Sequence, residues 1–196
     1  MIKSLLLFAD PSVRESIEAN LTSAGYLVRY VENLETAKFF AVQADAMVVQ
    51  AARGSLLDWC RRIRSWQDRP LFWWCDREHS PDEDLHHADI DGILFSDMNQ
   101  SALLWSFTVG VMHHRRKVRL QQERDQLLSR LEERKWIDQA KGILSSLKQI
   151  SEDEAYDFLR KQAMNERKKM ADVARSIVNV YQLIREQDSG TSRKTR

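Results

Sequence analysis

The 196-residue chain carries 30 Lys+Arg against 29 Asp+Glu, a net charge of +1, and 43% of it is hydrophobic. That apolar content can bury a core, which excludes a wholly disordered chain, and at about 150 residues per domain the length fits one domain or two small ones. The near-neutral total hides an asymmetry: residues 1–100 hold 10 basic and 16 acidic side chains, residues 101–196 hold 20 and 13, so an anionic partner is expected on the second half.

Short apolar runs at 4–8, 26–30, 46–49, 71–74 and 93–95 read as buried strands. Between them, 12–24, 34–42, 55–66 and 81–88 place apolar residues at helical spacing. Asp10-Pro11-Ser12 supplies turn and cap chemistry for the first helix, and Gly25 ends it. Five strands alternating with helices predict a doubly wound parallel sheet, whose ligand crevice lies at the carboxyl ends of the strands. The residues to read there are Phe8, Ala9, Gln50, Cys75 and Ser96.

These five strands, with a D-P turn after the first (Asp10-Pro11) and D-G before the fifth (Asp91-Gly92), resemble the receiver domain of response regulators. The resemblance implies a phosphoryl acceptor Asp ending the third strand, an acidic pair for Mg²⁺ ending the first, and a Ser/Thr and a Lys on the fourth and fifth. Here Phe8 and Ala9 occupy the acidic-pair positions with Asp10 beside them, Gln50 the acceptor, Cys75 the hydroxyl and Ser96 the lysine position. Mg²⁺ takes hard oxygen ligands that Phe and Ala do not offer, and Gln50 cannot form an acyl phosphate, so the expectation is a pseudo-receiver inert to phosphorylation. No cofactor is implied.

Other features of this half carry less. His79, His86 and His87 among Asp76, Glu78, Asp82, Glu83, Asp84 and Asp89 match no metal-ligand spacing and read as a solvated acidic stretch. Cys60 and Cys75 have no motif and read as structural. Trp73 and Trp74, adjacent on a strand, point to opposite faces; Trp59 and Trp66 are candidates for core or for a partner surface. The amino-terminal run meets Asp10 and Pro11 too early for a secretory signal, and no apolar run approaches the roughly 18 residues of a membrane span, so a cytoplasmic protein is expected.

From Gln100 to about 149 there is no proline, and only Gly110 and Gly142 weaken helical propensity. Val111 and Val118 are one heptad apart, as are Leu120 and Leu127, with Leu131 following. A long helix continuing as a coiled coil is expected, with a homodimer through those five residues; a single helix packed back on its own domains is the alternative. Arg115-Arg116-Lys117-Val118-Arg119 reads as a solvated basic face.

The C-terminal region predicts three short helices. Ser151-x-x-Glu154 is a capping box. Ile137, Ala140, Ile143, Leu144 and Leu147 give one apolar face, Ala155, Phe158, Leu159 and Ala163 a second, and Met170, Val173, Ala174 and Ile177 a third. Arg160, Lys161, Arg167, Lys168 and Lys169 cluster around the second turn, with Lys141 and Arg175 able to extend the patch. Gln162 and Asn165 are candidates for reading bases. Trp136 and Tyr156 are the aromatics available for stacking.

The blocks Ala140-Lys141-Gly142-Ile143-Leu144, Ser151-Glu152-Asp153-Glu154-Ala155-Tyr156 with Leu159-Arg160, and Ala163-Met164 resemble the ANTAR domain of transcription antitermination regulators over roughly 131–184. With the receiver-like half, the chain is similar to antiterminators of aliphatic-amidase and nitrate/nitrite-assimilation operons. The resemblance implies RNA hairpins in an mRNA leader as target, and a ligand-sensing protein that sequesters the regulator. The expected organisation is a pseudo-receiver at 1–100, a helical connector at 101–130, an ANTAR module at 131–187 and a flexible basic tail at 188–196. A DNA-binding regulator and a protein–protein adaptor are the other classes; no nucleophile–base pair, phosphate loop or metal motif points to an enzyme.

Overall fold

The computed structural model describes residues 2–75 and 88–191, arranged as two compact units, Met1–Arg119 and Leu120–Arg196. In the first, β1 (Ser4–Phe8), α1 (Pro11–Ser23), β2 (Leu27–Tyr30), α2 (Leu34–Ala41), β3 (Ala46–Gln50), α3 (Arg53–Arg64), β4 (Leu71–Cys75) and β5 (Gly92–Phe95) are followed by the start of α4 (Gln100–Lys148). The five strands form one all-parallel sheet in the order β2-β1-β3-β4-β5, the doubly wound arrangement expected for a receiver-like domain.

Period-two alternation divides the strand side chains between two cores. Leu6, Phe8, Met47, Val49, Leu71 and Trp73 pack on one face with α2 and α3. Leu5, Leu7, Ala46, Val48, Phe72 and Trp74 pack on the other with α1 and α4. Trp73 and Trp74 thus serve opposite cores. Trp59 and Trp66 are half-buried against the first, and Trp59 lies 5.5 Å from the Phe8 ring. Both cysteines are buried, and burial pushes the Cys60 thiol up to about 11, far from a reactive thiolate.

Helix ends explain where expectation and observation differ. Asp10 caps α1 by accepting from Ser12 N–H at 2.9 Å. At its other end Gly25, at φ 91°, lets Gly25 N–H reach the Thr22 carbonyl (2.9 Å) and Tyr26 N–H reach that of Leu21 (3.1 Å), a Schellman closure. Tyr26 is spent on this closure, so β2 begins at Leu27 and not at 26. The helix expected at 81–88 and the histidines among their acids at 76–87 lie outside the described residues.

The second unit is a three-helix bundle of the end of α4, α5 (Glu152–Glu166) and α6 (Met170–Thr191). Ala140 and Leu144, then Ala155, Leu159 and Ala163, then Val173, Ala174 and Val178 form its core; the alanines let the helices approach closely. Leu147, expected on the packed face, is exposed. The chain turns at Gln149, and Ile150 closes that end of the core in its place. Ser151 and Glu154 form the expected capping box: Glu154 N–H donates to Ser151 Oγ (3.2 Å) and Ser151 N–H to Glu154 Oε2 (2.9 Å). α6 runs on to Thr191, into the segment expected as a flexible tail; 192–196 lie outside the described residues. No helix among the described residues is long and apolar enough to cross a membrane.

Candidate nucleic-acid interface

The α5–α6 turn is built around a second Schellman closure. Arg167 N–H donates to the Met164 carbonyl (3.3 Å) and Lys168 N–H to that of Ala163 (3.1 Å). The residue in the left-handed conformation is Arg167, at φ 54° and ψ 37°. Glycine is the usual occupant because a Cβ there is strained. Arg167 is exposed at this turn.

Around this turn Arg160, Lys161, Arg167, Lys168 and Lys169 are all exposed, but they are not electrostatically alike. Lys168 Nζ lies 2.9 Å from Glu166 Oε2 and Lys169 Nζ 3.6 Å from Glu133 Oε1. The Glu166 hydrogen bond raises the Lys168 pKa, and the Lys168 and Gln162 hydrogen bonds lower that of Glu166. Arg160, Lys161 and Arg167 have no side-chain partner among the described residues. Gln162 donates to Glu166 Oε1 at 2.7 Å and is half-buried, whereas Asn165 is exposed. The unneutralised positive charge therefore rests on three of the five bases.

Lys141 and Arg175 lie apart from that cluster. Lys141 Nζ is 3.1 Å from Glu152 Oε2 at the opposite end of α5, and 3.7 Å from Asp138 Oδ1; the Glu152 hydrogen bond raises its pKa. Arg175 sits over the Trp136 ring at 5.7 Å, and Trp136 is half-buried against the bundle core. A cleft of about 370 Å³ brings Lys141 together with Arg130, Arg134 and Tyr156, with Glu133 and Asp138 on its walls as well. Tyr156 is exposed, and Arg130 has no side-chain partner among the described residues. Arg130 and Arg134 were not among the candidates from sequence. They precede the motif blocks, and only the return of α5 along α4 places them beside Tyr156.

Among the described residues of the first unit, the carboxyl ends of the strands carry no acidic cluster. Phe8 and Cys75 are buried in the core, Ala9 is half-buried, and Ser96 is exposed. Gln50 Oε1 accepts from Asp10 N–H at 3.1 Å, and the Asp10 carboxylate is occupied as the α1 cap. The Ser12 hydroxyl bond, followed by the Ser12 N–H, holds the Asp10 pKa down. Ser96 offers its carbonyl to Asn20 Nδ2 at 2.7 Å. Among the described residues there is no group of three His, Cys, Asp or Glu side chains placed to hold a metal ion.

The expected dimer residues divide into two sets. Val111 and Val118 are half-buried in the first unit. Leu120, Leu127 and Leu131 are 53%, 59% and 63% exposed, and Trp105, Val109 and Met112 add an exposed apolar run earlier on α4. Helical geometry accounts for the split: at 100° per residue Val111 and Val118 face away from Leu120 and Leu127.

Residues 125–178 match the ANTAR domain family, a span that takes in the end of α4, all of α5 and the start of α6. A nitrate regulatory protein of Klebsiella oxytoca is 41% identical over 69 residues, covering 34% of this chain and 17% of that protein; the chain thus spans a minor part of that relative's length. Among solved structures, the pseudo-receiver domain of the CikA protein aligns at 19% identity and a TM-score of 0.43, over 56% of this chain and 97% of that one. The N-terminal domain of a response regulator/sensory box/GGDEF protein from Carboxydothermus hydrogenoformans aligns at 14% and 0.44, over 59% and 98%.

Proposed function

We propose that this chain is an RNA-binding regulator of transcription antitermination, whose second unit grips hairpins in an mRNA leader and prevents a terminator from forming. The observation that carries the reading is the coincidence of the ANTAR match with the three-helix unit that exposes Arg160, Lys161 and Arg167 without partners. Backbone phosphates supply most of the affinity for such a surface, and unstacked loop bases supply specificity. Asn165, near the unpaired cations, and the exposed Tyr156, in the cleft with Arg130, are positioned to meet bases. Similarity to a nitrate regulatory protein supports the same class of regulator.

Control lies outside phosphoryl chemistry. Gln50 tethers the β1–α1 turn where an acceptor carboxylate and Mg²⁺ would be needed, so activity is set by oligomer state through α4, or by a ligand-sensing protein that sequesters the chain. The reading makes the protein a cytoplasmic, non-enzymatic regulator. Sequencing RNA that co-purifies with the protein, followed by competition between the recovered leader and duplex DNA, tests it. Enrichment of one leader that DNA fails to displace is expected; displacement by duplex DNA, or a flat RNA titration at low salt, overturns it.

A further inference from the structure

The amino edge of the sheet, opposite the degenerate acceptor positions, holds a cleft of about 400 Å³ wholly within the first unit. Ile2, Tyr26, Leu104, Phe107, Val111 and Met112 form its apolar walls, Leu104 and Met112 with their side chains largely exposed. That volume lies within the range of small-molecule sites, which combine apolar walls with a few convergent polar groups.

The polar groups decide the sign of the ligand. Asp45 and Asp68 both line the cleft. Asp45 Oδ2 already accepts from Lys3 N–H (2.8 Å) and Ser4 N–H (3.0 Å). Asp68 Oδ1 lies 3.7 Å from both Arg64 Nη1 and His114 Nε2. Arg69 and Arg115 also line it, and neither guanidinium has a partner among the described residues. His114, with 8% of its side chain exposed, is held from behind by Asp91, whose Oδ2 is 3.2 Å from its Nδ1. The acids are matched and the two arginines are not.

We propose that this cleft binds a small organic anion with an apolar body. Its carboxylate is met by Arg69 and Arg115, a pairing the planar guanidinium favours, and its body covers Leu104, Val111 and Met112. The site is independent of the RNA surface, and no residue of the degenerate acceptor positions takes part.

Calorimetric titration of the full chain with benzoate tests the proposal, with benzamide, benzylamine and inorganic phosphate as comparators. Benzoate is expected to bind once per chain, with the neutral and cationic isosteres and phosphate each weaker by at least about tenfold. The double change Arg69→Ala and Arg115→Ala is expected to cost benzoate at least about tenfold in affinity with the unfolding midpoint unmoved. Thr108→Trp, at an exposed position on the cleft wall, blocks the cleft without touching the core and should abolish the signal. Absence of benzoate binding at millimolar concentration, equal binding of benzylamine or benzamide, or affinity unchanged in both variants overturns the proposal. Equal binding of inorganic phosphate overturns the apolar half of it.

Discussion

The Arg64 guanidinium donates to the Asp91 carboxylate across 2.6 Å, and Asp91 has none of its side chain exposed. The pair joins the end of α3 to the residue before β5. Leu71 N–H also donates to Asp91 at 2.8 Å, while the Arg64 fork reaches the Arg69 carbonyl (2.7 Å) and the Asp89 carbonyl (3.2 Å). Lys117 of α4 closes on Asp89. One buried carboxylate therefore fixes α3, β4 and β5, with His114 bringing α4 onto the same group.

Burial alone would raise the Asp91 pKa, but His114, the Leu71 N–H and Arg64 outweigh it and bring the group down from 3.8 to about 2. A folded value below the unfolded one stabilises the fold above the unfolded pKa, and that stabilisation is lost as pH falls through the folded value. The first unit should therefore lose stability between about pH 4 and pH 2. Asp91→Ala, which leaves Arg64 without its buried partner, should cost about 3 kcal/mol at neutral pH and flatten that acid limb. Urea unfolding across the pH range checks both; an acid limb unchanged by the substitution contradicts the assignment.

Two glycines of α4 should respond to alanine with opposite signs. A Cβ at Gly142 would meet nothing within 4 Å, so Gly142→Ala should stabilise by about 1 kcal/mol through helix propensity alone. A Cβ at Gly110 would run into the Phe72 ring and come within 3.0 Å of the Asp91 carbonyl. Phe72 is fully buried and held edge-on to Phe107, with ring centroids 4.7 Å apart, so it has no room to yield. Overpacking of this kind costs about 1–3 kcal/mol and outweighs the propensity gain. Thermal unfolding of the two variants side by side is the measurement, and a stabilised Gly110→Ala protein would contradict this packing.

Arg167 offers a trade between stability and binding. Replacing it by glycine removes the left-handed strain and should stabilise the second unit by about 1 kcal/mol. It also removes one of the three unpaired cations at the turn, so affinity for a leader hairpin should fall while the melting temperature rises. A variant that binds as tightly as the parent would mean that the strained arginine does not face RNA.

The exposed leucines of α4 point to self-association. Leu127→Lys with Leu131→Lys should weaken any dimer by at least about tenfold while leaving the circular dichroism of the chain unchanged, since neither side chain is in a core. Sedimentation of the parent and variant at tens of micromolar checks this, and a strictly monomeric parent refutes it.

How much of this was legible in sequence depends on whether the signal was local. Ser4–Phe8 emerged with both ends as expected, and Asp10, Gly25 and the Ser151–Glu154 box did what their types predict, because caps and period-two runs are set within a few residues. In sequence Asp91 shows only as part of a D-G turn. Its partner Arg64 is 27 residues away, and no spacing rule connects them. Heptad spacing puts Val111 and Val118 on a dimer seam, but it does not tell a face packed on its own sheet from one facing solvent. The basic cluster was legible as a cluster. The ion pairs that neutralise Lys169 and Lys141 were not, because Glu133 and Glu152 reach them only through the folding of the bundle.

The glutamate partners divide the five cations at the turn into matched and unmatched sets. If all five bases at the turn contact phosphate equally, any pair changed to alanine should have the same effect. The ion pairs argue otherwise. Lys168 and Lys169 are each matched to a glutamate, and removing them also frees Glu166 and Glu133, whereas Arg160 and Lys161 are exposed and unmatched. Each phosphate neutralised on a single-stranded segment contributes about −0.7 to the slope of log K against log salt. Arg160→Ala with Lys161→Ala should therefore make the slope for a leader hairpin shallower by about 1.4 and weaken all RNAs similarly, as positioning contacts do. Asn165→Ala should instead reduce discrimination between correct and altered loops with the slope preserved. Ser151→Ala serves as the control: it should cost about 1 kcal/mol of stability and leave the slope alone. Filter binding from low to moderate salt separates these outcomes. A slope unmoved by the Arg160 and Lys161 changes would place the RNA elsewhere, with the Arg130, Arg134 and Tyr156 cleft the next surface to alter.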